Sequence, residues 1–319
     1  MEPTMRKKER PNSGLLVRTG LVLVIGFIIV IGIFFLVTTY LTPVVVGKCV
    51  GIVNINNPLT IEGSDPSLLS AGTPNSEQIA STVESLNKRE DVGAVLFVVN
   101  SPGGSVVATR EVYDAVKGLN KPKVAYFREV AASGAYYLST GTDYIISDPD
   151  AITGSIGVIA TYTDMSGLFE KIGLNVNTLK VGTYKDIGSP YRNMTVEERA
   201  LLQNMIDEVY KEFRNTVVSN RGKKLNMNLF NNVSDGRIMS GRQALAVGLV
   251  DAVGNKKDAI KKAAELGNIT TPETPLSIDD IRVCDIPVGT QQAGLFSLDS
   301  LIKGFETKYS GNGIKLQYS

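Results

Sequence analysis

The run Ala94-Val95-Leu96-Phe97-Val98-Val99 decides the fold class of this 319-residue chain. An unbroken apolar run of this length, rich in branched and aromatic side chains, is typical of a β-strand covered on both faces. It ends at Asn100-Ser101-Pro102-Gly103-Gly104-Ser105, where Pro and Gly predict a tight loop. Ser105 is suited to cap a helix that extends to Leu119. A buried strand, a short loop and a helix together predict an α/β fold.

The same rhythm continues on both sides of this run. A strand is predicted within Val44–Ile55, and a surface loop over Asn56–Asn75 leads into a helix that begins near Thr73. A strand over Lys123–Phe127 is followed by a turn at Ser133 and a short helix. Further strand candidates are Tyr144–Ser147, Ile156–Thr161 and Val176–Lys180, and further helices are predicted from Thr195, from Ser240 and over Asn255–Leu266.

The N-terminal part of the chain predicts a membrane anchor. No charged residue occurs from Thr19 to Gly47, and residues 19–42 are long enough to cross the roughly 30 Å hydrocarbon core as a helix. Residues 1–18 carry an excess of Lys and Arg and are therefore expected to stay in the cytoplasm. A cleaved signal peptide is the alternative, but no small-x-small cleavage site follows Val37. The rest of the chain is expected outside the membrane.

Composition narrows the classes of partner and cofactor. Lys and Arg total 33 against 32 Asp and Glu, so no basic surface for nucleic acid is expected. Histidine is absent, which removes the commonest ligand of zinc and copper sites, and no metal or other cofactor is expected. Cys49 and Cys284 are either paired or two free thiols. Residues 268–319 are rich in Thr, Pro, Ser and Gly and are expected to be ordered only through partners.

The absence of histidine also limits nucleophilic catalysis, because a serine then needs a different base, such as lysine. Ser133 lies between small residues where its hydroxyl would be exposed, although a helix N-cap is the simpler interpretation. Lys185, in Gly182-Thr183-Tyr184-Lys185, would have to be partly buried to lose its charge; the alternative is a solvated surface lysine. Ser155 is either a partner that orients the lysine amine or a simple turn hydroxyl.

Glycines near these residues are candidates for an oxyanion site. Gly103 and Gly104 lack a Cβ at the end of a strand, so their amides could approach a ligand closely. The amide of Gly134, next to Ser133, could point at a bound carbonyl oxygen. The alternative for the Pro-Gly-Gly segment is an ordinary tight turn.

Taken together, the motifs resemble the signal peptide peptidase A family in its short form, with one Ser–Lys dyad per chain. The resemblance covers Val50–Leu266, with Ala135 standing where many members have glycine. The matching motifs are Asn100-Ser101-Pro102-Gly103-Gly104-Ser105, Ala131-Ala132-Ser133-Gly134, Thr153-Gly154-Ser155-Ile156-Gly157, Gly182-Thr183-Tyr184-Lys185-Asp186-Ile187-Gly188-Ser189-Pro190, Gly236-Arg237-Ile238-Met239-Ser240-Gly241 and Gly248-Leu249-Val250-Asp251. The resemblance to this family implies an α/β fold of repeated ββα units, like that of Clp protease and crotonase.

The resemblance also implies residue roles and a function. Ser133 would be the nucleophile, Lys185 the general base and Ser155 the residue that orients the lysine, with Gly103, Gly104 and Gly134 forming the oxyanion site. Residues 43–267 would form an extracytoplasmic peptidase domain that cleaves remnant signal peptides and other short apolar peptides, in a homo-oligomer of about eight subunits. The alternatives are a stomatin-partnered Ser–Lys membrane protease, a crotonase-fold acyl-CoA enzyme and an inactive anchored scaffold.

Overall fold

The computed structural model describes residues 24–32, 48–64, 72–269, 278–289 and 316–318. The chain divides into two units, Met1–Val46 and Gly47–Ser319. In the first unit, residues 24–32 are helical and exposed. Among all described residues, no helix combines the length and the apolar character that crossing a membrane requires. Most of the predicted span over residues 19–42 lies outside the described residues, so the anchor stays a prediction.

The second unit is built on a mixed β-sheet of eight strands. The second unit has these described strands, in chain order: β1 (Cys49–Asn56), β2 (Val92–Ser101), β3 (Gly104–Ser105), β4 (Lys123–Ala132), β5 (Tyr144–Ser147), β6 (Ile152–Gly154), β7 (Ile159–Ala160), β8 (Ile238–Ser240), β9 (Ala252–Val253), β10 (Val283–Ile286) and β11 (Leu316–Tyr318). All except β3, β7 and β11 belong to the sheet of eight. The order across the main sheet is β10-β1-β2-β4-β5-β9, with parallel neighbours throughout.

Helices cover both faces of this sheet. The described helices of the second unit are α1 (Ser76–Ser85), α2 (Val106–Lys117), α3 (Gly134–Ser139), α4 (Ser166–Lys171), α5 (Val196–Arg221), α6 (Met227–Val233), α7 (Gly241–Val247) and α8 (Lys256–Leu266). Side chains of β2 alternate between the two faces: Phe97 packs in the cluster that includes Val112 of α2, whereas Leu96 packs in the cluster that includes Ala263 of α8. Full burial of a side chain such as Phe97 contributes about 1.5–3 kcal/mol. The predicted two-sided burial is confirmed.

Strand β4 changes partners along its length. Its first part pairs with β5, but Val130, Ala131 and Ala132 pair in parallel with β6, and β6 in turn pairs antiparallel with β8. The carboxyl ends of β2, β4 and β6 therefore meet at one place. A separate three-stranded sheet, in the order β3-β11-β7, adjoins this place through β3.

Several local predictions differ from the structure. Residues 176–180 do not form a strand, and residues 171–185 are exposed throughout, because no neighbouring strand in the described chain pairs with them. The predicted surface loop after β1 contains Leu59, which is buried. Cys49 and Cys284 form a disulfide, which settles the pairing that the sequence left open. The bond joins β1 to β10, so this part of the C-terminal extension is ordered against the chain itself.

Candidate active site

Ser133 stands at the sharp turn between β4 and α3. Its backbone angles are φ 55° and ψ −122°, a conformation that non-glycine residues rarely adopt. Its amide donates to the Gly154 carbonyl at 2.9 Å, and its carbonyl accepts the first bond of α3, from the Tyr137 amide at 2.9 Å. Such strain persists only where the surrounding structure fixes it, and it is concentrated at functional sites.

The hydroxyl of Ser133 does not cap the helix. Ser105 and Ser240 each accept a hydrogen bond from the amide three residues ahead, as helix-capping serines do, but Ser133 makes no such bond. Its Oγ is buried and has no hydrogen-bond partner within the described part of the chain. The N-cap interpretation is therefore wrong for its side chain. The expectation that the hydroxyl is exposed is also wrong for the single chain.

Three glycines form a wall without side chains around Ser133. A Cβ on Gly103, which has φ 100°, would lie 2.6 Å from the Gly134 amide nitrogen and 3.0 Å from the Ser133 Cβ. A Cβ on Gly104 would lie 2.0 Å from the Leu59 carbonyl oxygen. The position that a Cβ of Gly134 would take is 3.3 Å from the Gly104 amide nitrogen. The backbones of all three predicted oxyanion residues thus come together at the nucleophile candidate.

Two residues that the sequence did not single out hold this wall in place. Leu59 lies beside the glycine loop: its amide donates to the Gly103 carbonyl at 2.7 Å, and its carbonyl accepts from the Ser105 amide at 2.9 Å. Thr109 of α2 is fully buried, and its Oγ1 has no hydrogen-bond partner among the described residues. A small polar residue on the apolar face of a predicted helix was the available signal for Thr109.

Ser155 lies next to Ser133 through the register of two strands. Ala132 of β4 pairs with Gly154 of β6, so the residue that follows each is brought to the same edge. Ser155 also has a positive φ, 51°, is nearly buried, and donates its amide to the Arg237 carbonyl at 2.8 Å. The structure therefore brings together the two predicted serines from separate segments of the sequence.

Lys185 is placed differently. It lies in a series of tight turns, called here the lysine turn (residues 182–189), where its amide donates to the Gly182 carbonyl at 3.2 Å. Its side chain is exposed, contrary to the expectation of partial burial. Because the Ser133 Oγ has no hydrogen-bond partner in the described chain, the two groups do not form a hydrogen-bonded pair within one chain. The dyad stays a prediction.

An extended segment of the chain already lies along the glycine loop. Tyr318 and Gln317 of β11 pair antiparallel with Gly104 and Ser105, and the other side of β11 pairs with β7. The edge beside the nucleophile candidate thus accepts an extended peptide backbone through ladder hydrogen bonds.

As for metals, the described residues contain one compact group of possible ligands, Cys49, Asp91 and Cys284, but its two sulfurs are joined in the disulfide.

Comparison with known proteins agrees with this geometry. The family model of peptidase family S49 matches residues 115–270, and that of Clp protease matches residues 70–146. The putative protease slr0021 of Synechocystis sp. is 39% identical over 190 residues, which cover 59% of this chain and 68% of the relative. This chain belongs to peptidase family S49. The S49 match contains Ser133, Ser155 and Lys185, and it confirms membership of the signal peptide peptidase A family with its Clp protease-like α/β fold.

Two further relatives come from other organisms. The putative protease MJ0651 of Methanocaldococcus jannaschii is 46% identical over 193 residues, covering 60% of this chain and 61% of the relative. The putative signal peptide peptidase SppA of Enterococcus faecium is 34% identical over 223 residues, covering 68% of this chain and 64% of the relative. The chain therefore spans somewhat under two thirds of the length of these two relatives.

Proposed function

We propose that this S49 chain is a serine endopeptidase in which Ser133 attacks the carbonyl of a peptide bound as a strand beside β3, in the place that β11 takes in this structure. The observation that carries the proposal is the buried Ser133 hydroxyl, held at a strained turn, unused for capping and surrounded by glycine backbone. The antiparallel pairing of β11 with β3 supports a peptide as the substrate class, since a bound substrate would use the same backbone edge.

The proposed reaction proceeds through an ester. Neutral Lys185 takes the proton of Ser133 as the oxygen attacks the carbonyl, and the amides of Gly104 and Gly134 stabilise the oxyanion. As the first residue of α3, Gly134 has an amide without an acceptor inside the helix. The lysine ammonium protonates the departing amine. In the second half of the reaction, the neutral lysine takes a proton from water as the water attacks the ester, and then returns a proton to the Ser133 oxygen as the acid product leaves. Ser155 orients the lysine amine.

Lys185 is proposed to reach Ser133 only in an assembly of several copies, as in a ring of about eight subunits. Two observations support this. The lysine side chain is exposed in the single chain, and the segment that precedes it presents Leu179 and Val181 with relative exposures of 100% and 97%. Apolar side chains this exposed are typical of surfaces that pack against a partner.

The proposed location is outside the cytoplasmic membrane, with the N-terminal segment as a single anchor. The basic residues 1–18 and the uncharged segment that follows support this topology. The Cys49–Cys284 disulfide supports it independently, because disulfides persist mainly in oxidising compartments. Remnant signal peptides, released in the membrane beside such a site, are the proposed substrates.

A subunit-mixing experiment tests the shared site. Full-length chains carrying Ser133→Ala or Lys185→Ala are assayed in detergent on a synthetic signal peptide, with Lys171→Ala as a control for loss of an exposed lysine charge. We expect each site variant to lose activity by about a thousandfold or more, as for removal of other catalytic groups, and Lys171→Ala to keep it. Because a mixed assembly contains some intact Ser133–Lys185 pairs, co-assembled variants should regain activity.

The outcomes separate two parts of the proposal. Wild-type activity in Ser133→Ala or Lys185→Ala would overturn the dyad. Inactive single variants that regain nothing when subunit exchange is verified by mass would overturn the shared site while leaving the dyad intact.

A further inference from the structure

Arg192 joins the lysine turn to the start of helix α5. Its guanidinium donates to Asp186 through Nε, at 2.9 Å to Oδ2, and through Nη2, at 2.7 Å to Oδ1. On its other side it donates to Glu198 through Nη1, at 2.8 Å to Oε2, and through Nη2, at 2.5 Å to Oε1. Nη1 also donates to the Asn193 carbonyl at 3.0 Å. Every N–H of the fork is therefore directed at an acceptor.

The two carboxylates belong to segments with different roles. Glu198 is 2% exposed and is fixed to the helix, because its side chain accepts from the Thr195 amide at 2.9 Å in the capping box of α5. Asp186 directly follows Lys185 in the chain, and its Oδ1 also forms an ion pair with Lys180. Arg192 thus connects a residue fixed in a long helix to the residue next to the proposed base.

Two other arginine–carboxylate pairs do not have this form. Arg89 binds Asp91, and Arg237 binds Asp235, each two residues away and each with a single carboxylate in an exposed position. Such local surface pairs contribute little to a fold. A bridge between two carboxylates, each held by two N–H groups, instead fixes the distance and angle between two segments.

We propose that Arg192 is the positioning residue for Lys185, holding the lysine turn on helix α5 through Asp186 and Glu198. This inference rests on the proposed role of Lys185 as the base. In the described chain, the ion pairs of Asp186 are with Arg192 and Lys180. Arg192 touches no substrate in this role and acts only through the position of the lysine.

Steady-state kinetics on the full chain in detergent test the role. A base displaced by about 1 Å reduces the rate roughly a hundredfold, so we expect Arg192→Ala to lower kcat by that order. KM should change by less than about twofold, because the peptide-binding edge at β3 is on another segment. Arg192→Lys keeps the charge but lacks the planar fork, so it should recover only a small part of kcat. The matched control is Arg89→Ala, which removes an exposed Arg–Asp pair before the amino end of β2 and should keep both constants.

Two further measurements distinguish positioning from a merely structural role. Guanidinium at non-denaturing concentration should restore part of kcat to Arg192→Ala, whereas ammonium should not. The double variant Lys185→Ala with Arg192→Ala should have the same residual rate as Lys185→Ala alone, because Arg192 has nothing to position once the lysine is gone. Thermal unfolding and assembly mass are recorded for every variant.

Each outcome decides the inference. An unchanged kcat in Arg192→Ala would overturn it, as would a change confined to KM. If Arg192→Ala fails to fold or assemble, Asp186→Asn replaces it, with retention of full kcat in that variant being the contrary result. Should Lys185→Ala itself remain active, the proposed function fails, which is distinguishable from an active Arg192→Ala beside an inactive Lys185→Ala.

Discussion

At position 134, the identity of the residue is set by a side chain on another helix. A Cβ on Gly134 would lie 2.3 Å from the Thr109 Oγ1 and 3.2 Å from its Cγ2. Thr109 is fully buried and cannot swing into solvent. Glycine is thus required at this position for the close approach to Thr109.

This close approach predicts a compensating pair of substitutions. Gly134→Ala should lower the free energy of unfolding by about 1–3 kcal/mol, through overpacking against Thr109, and should reduce activity by displacing the adjacent amide. Thr109→Ala removes both contacting atoms, so the double variant should regain stability relative to Gly134→Ala. Denaturant unfolding of wild type, the two single variants and the double variant gives the coupling free energy between the two positions. Strictly additive losses would contradict the contact.

Single residues differ in how far the sequence could predict them. Ser133 was identifiable because its neighbours are small and it follows a predicted strand, but only the backbone angles and the unused hydroxyl exclude an N-cap role. Ser155 comes to lie beside Ser133 because the ends of their two strands meet at one edge of the sheet, and its role toward the lysine stays a prediction. Whether Lys185 is buried or exposed was not predictable from its motif, because that depends on what packs over the lysine turn; in the single chain the residue is exposed.

Among the elements, helix α5 is held at both ends by arginine–carboxylate bonds. Arg192 binds Glu198 at its start, and Arg221 in its last turn binds Asp251, with Nη1–Oδ2 at 2.9 Å and Nη2–Oδ1 at 3.0 Å. Burial alone would raise the pKa of Asp251, but the hydrogen bonds from Arg221 and Lys224 outweigh it and lower that pKa. The C-terminal end of α5 is therefore fixed to the core.

The buried pair predicts a large loss of stability on truncation. Asp251→Ala leaves the Arg221 guanidinium buried at 3–4% exposure without its carboxylate, and should lower the free energy of unfolding by about 3–5 kcal/mol. Denaturant titration measures the change. Asp235→Ala, which removes an exposed partner, is the control and should cost little. Equal effects of the two substitutions would be inconsistent with a buried role for Asp251.

The contacts at the N-terminal end of α5 predict that stability depends on pH. Hydrogen bonds from Arg192 and from the Thr195 amide hold the pKa of Glu198 at about 2, and Arg192 and Lys180 hold the pKa of Asp186 well below its usual range. Carboxylates in unfolded chains titrate near about pH 4, so the stabilisation is complete above that pH and is lost as the pH falls through the lower native values. The Tm difference between wild type and Arg192→Ala should therefore narrow from pH 6 to pH 3. A constant difference would refute this linkage.

Elements were predictable where their partners are local. The helix starts at Thr195 and Ser240 and the cap at Ser105 were predicted from the sequence and are present, the first two as capping boxes. The strand predicted over Val176–Lys180 is absent, because apolar and β-branched residues favour a strand only where another strand pairs with them. Leu179 of this segment is one of the two exposed side chains on which the proposed assembly rests.

For the whole molecule, the sequence predicted an α/β sheet but left the connection of the C-terminal extension open. The parallel pairing of β10 with β1 and the disulfide between them join the first strand of the second unit to residues 283–286. Contacts between residues this far apart depend on the complete topology, and cysteine spacing alone does not determine pairing. Likewise, no local pattern indicated that β11 pairs with β3.

The disulfide gives the last prediction. Its cysteines are separated by 235 positions, and a cross-link over so long a loop stabilises mainly by restricting the unfolded chain, typically by about 2–4 kcal/mol. The double variant Cys49→Ser with Cys284→Ser should therefore unfold at lower denaturant concentration. Its activity under native conditions should persist, because β10 is separated from β4 by β1 and β2. Reductant should shift the wild-type midpoint to that of the variant and leave the variant unchanged. A wild-type midpoint that is insensitive to complete reduction would show that strand pairing, and not the covalent bond, holds β10 to the sheet.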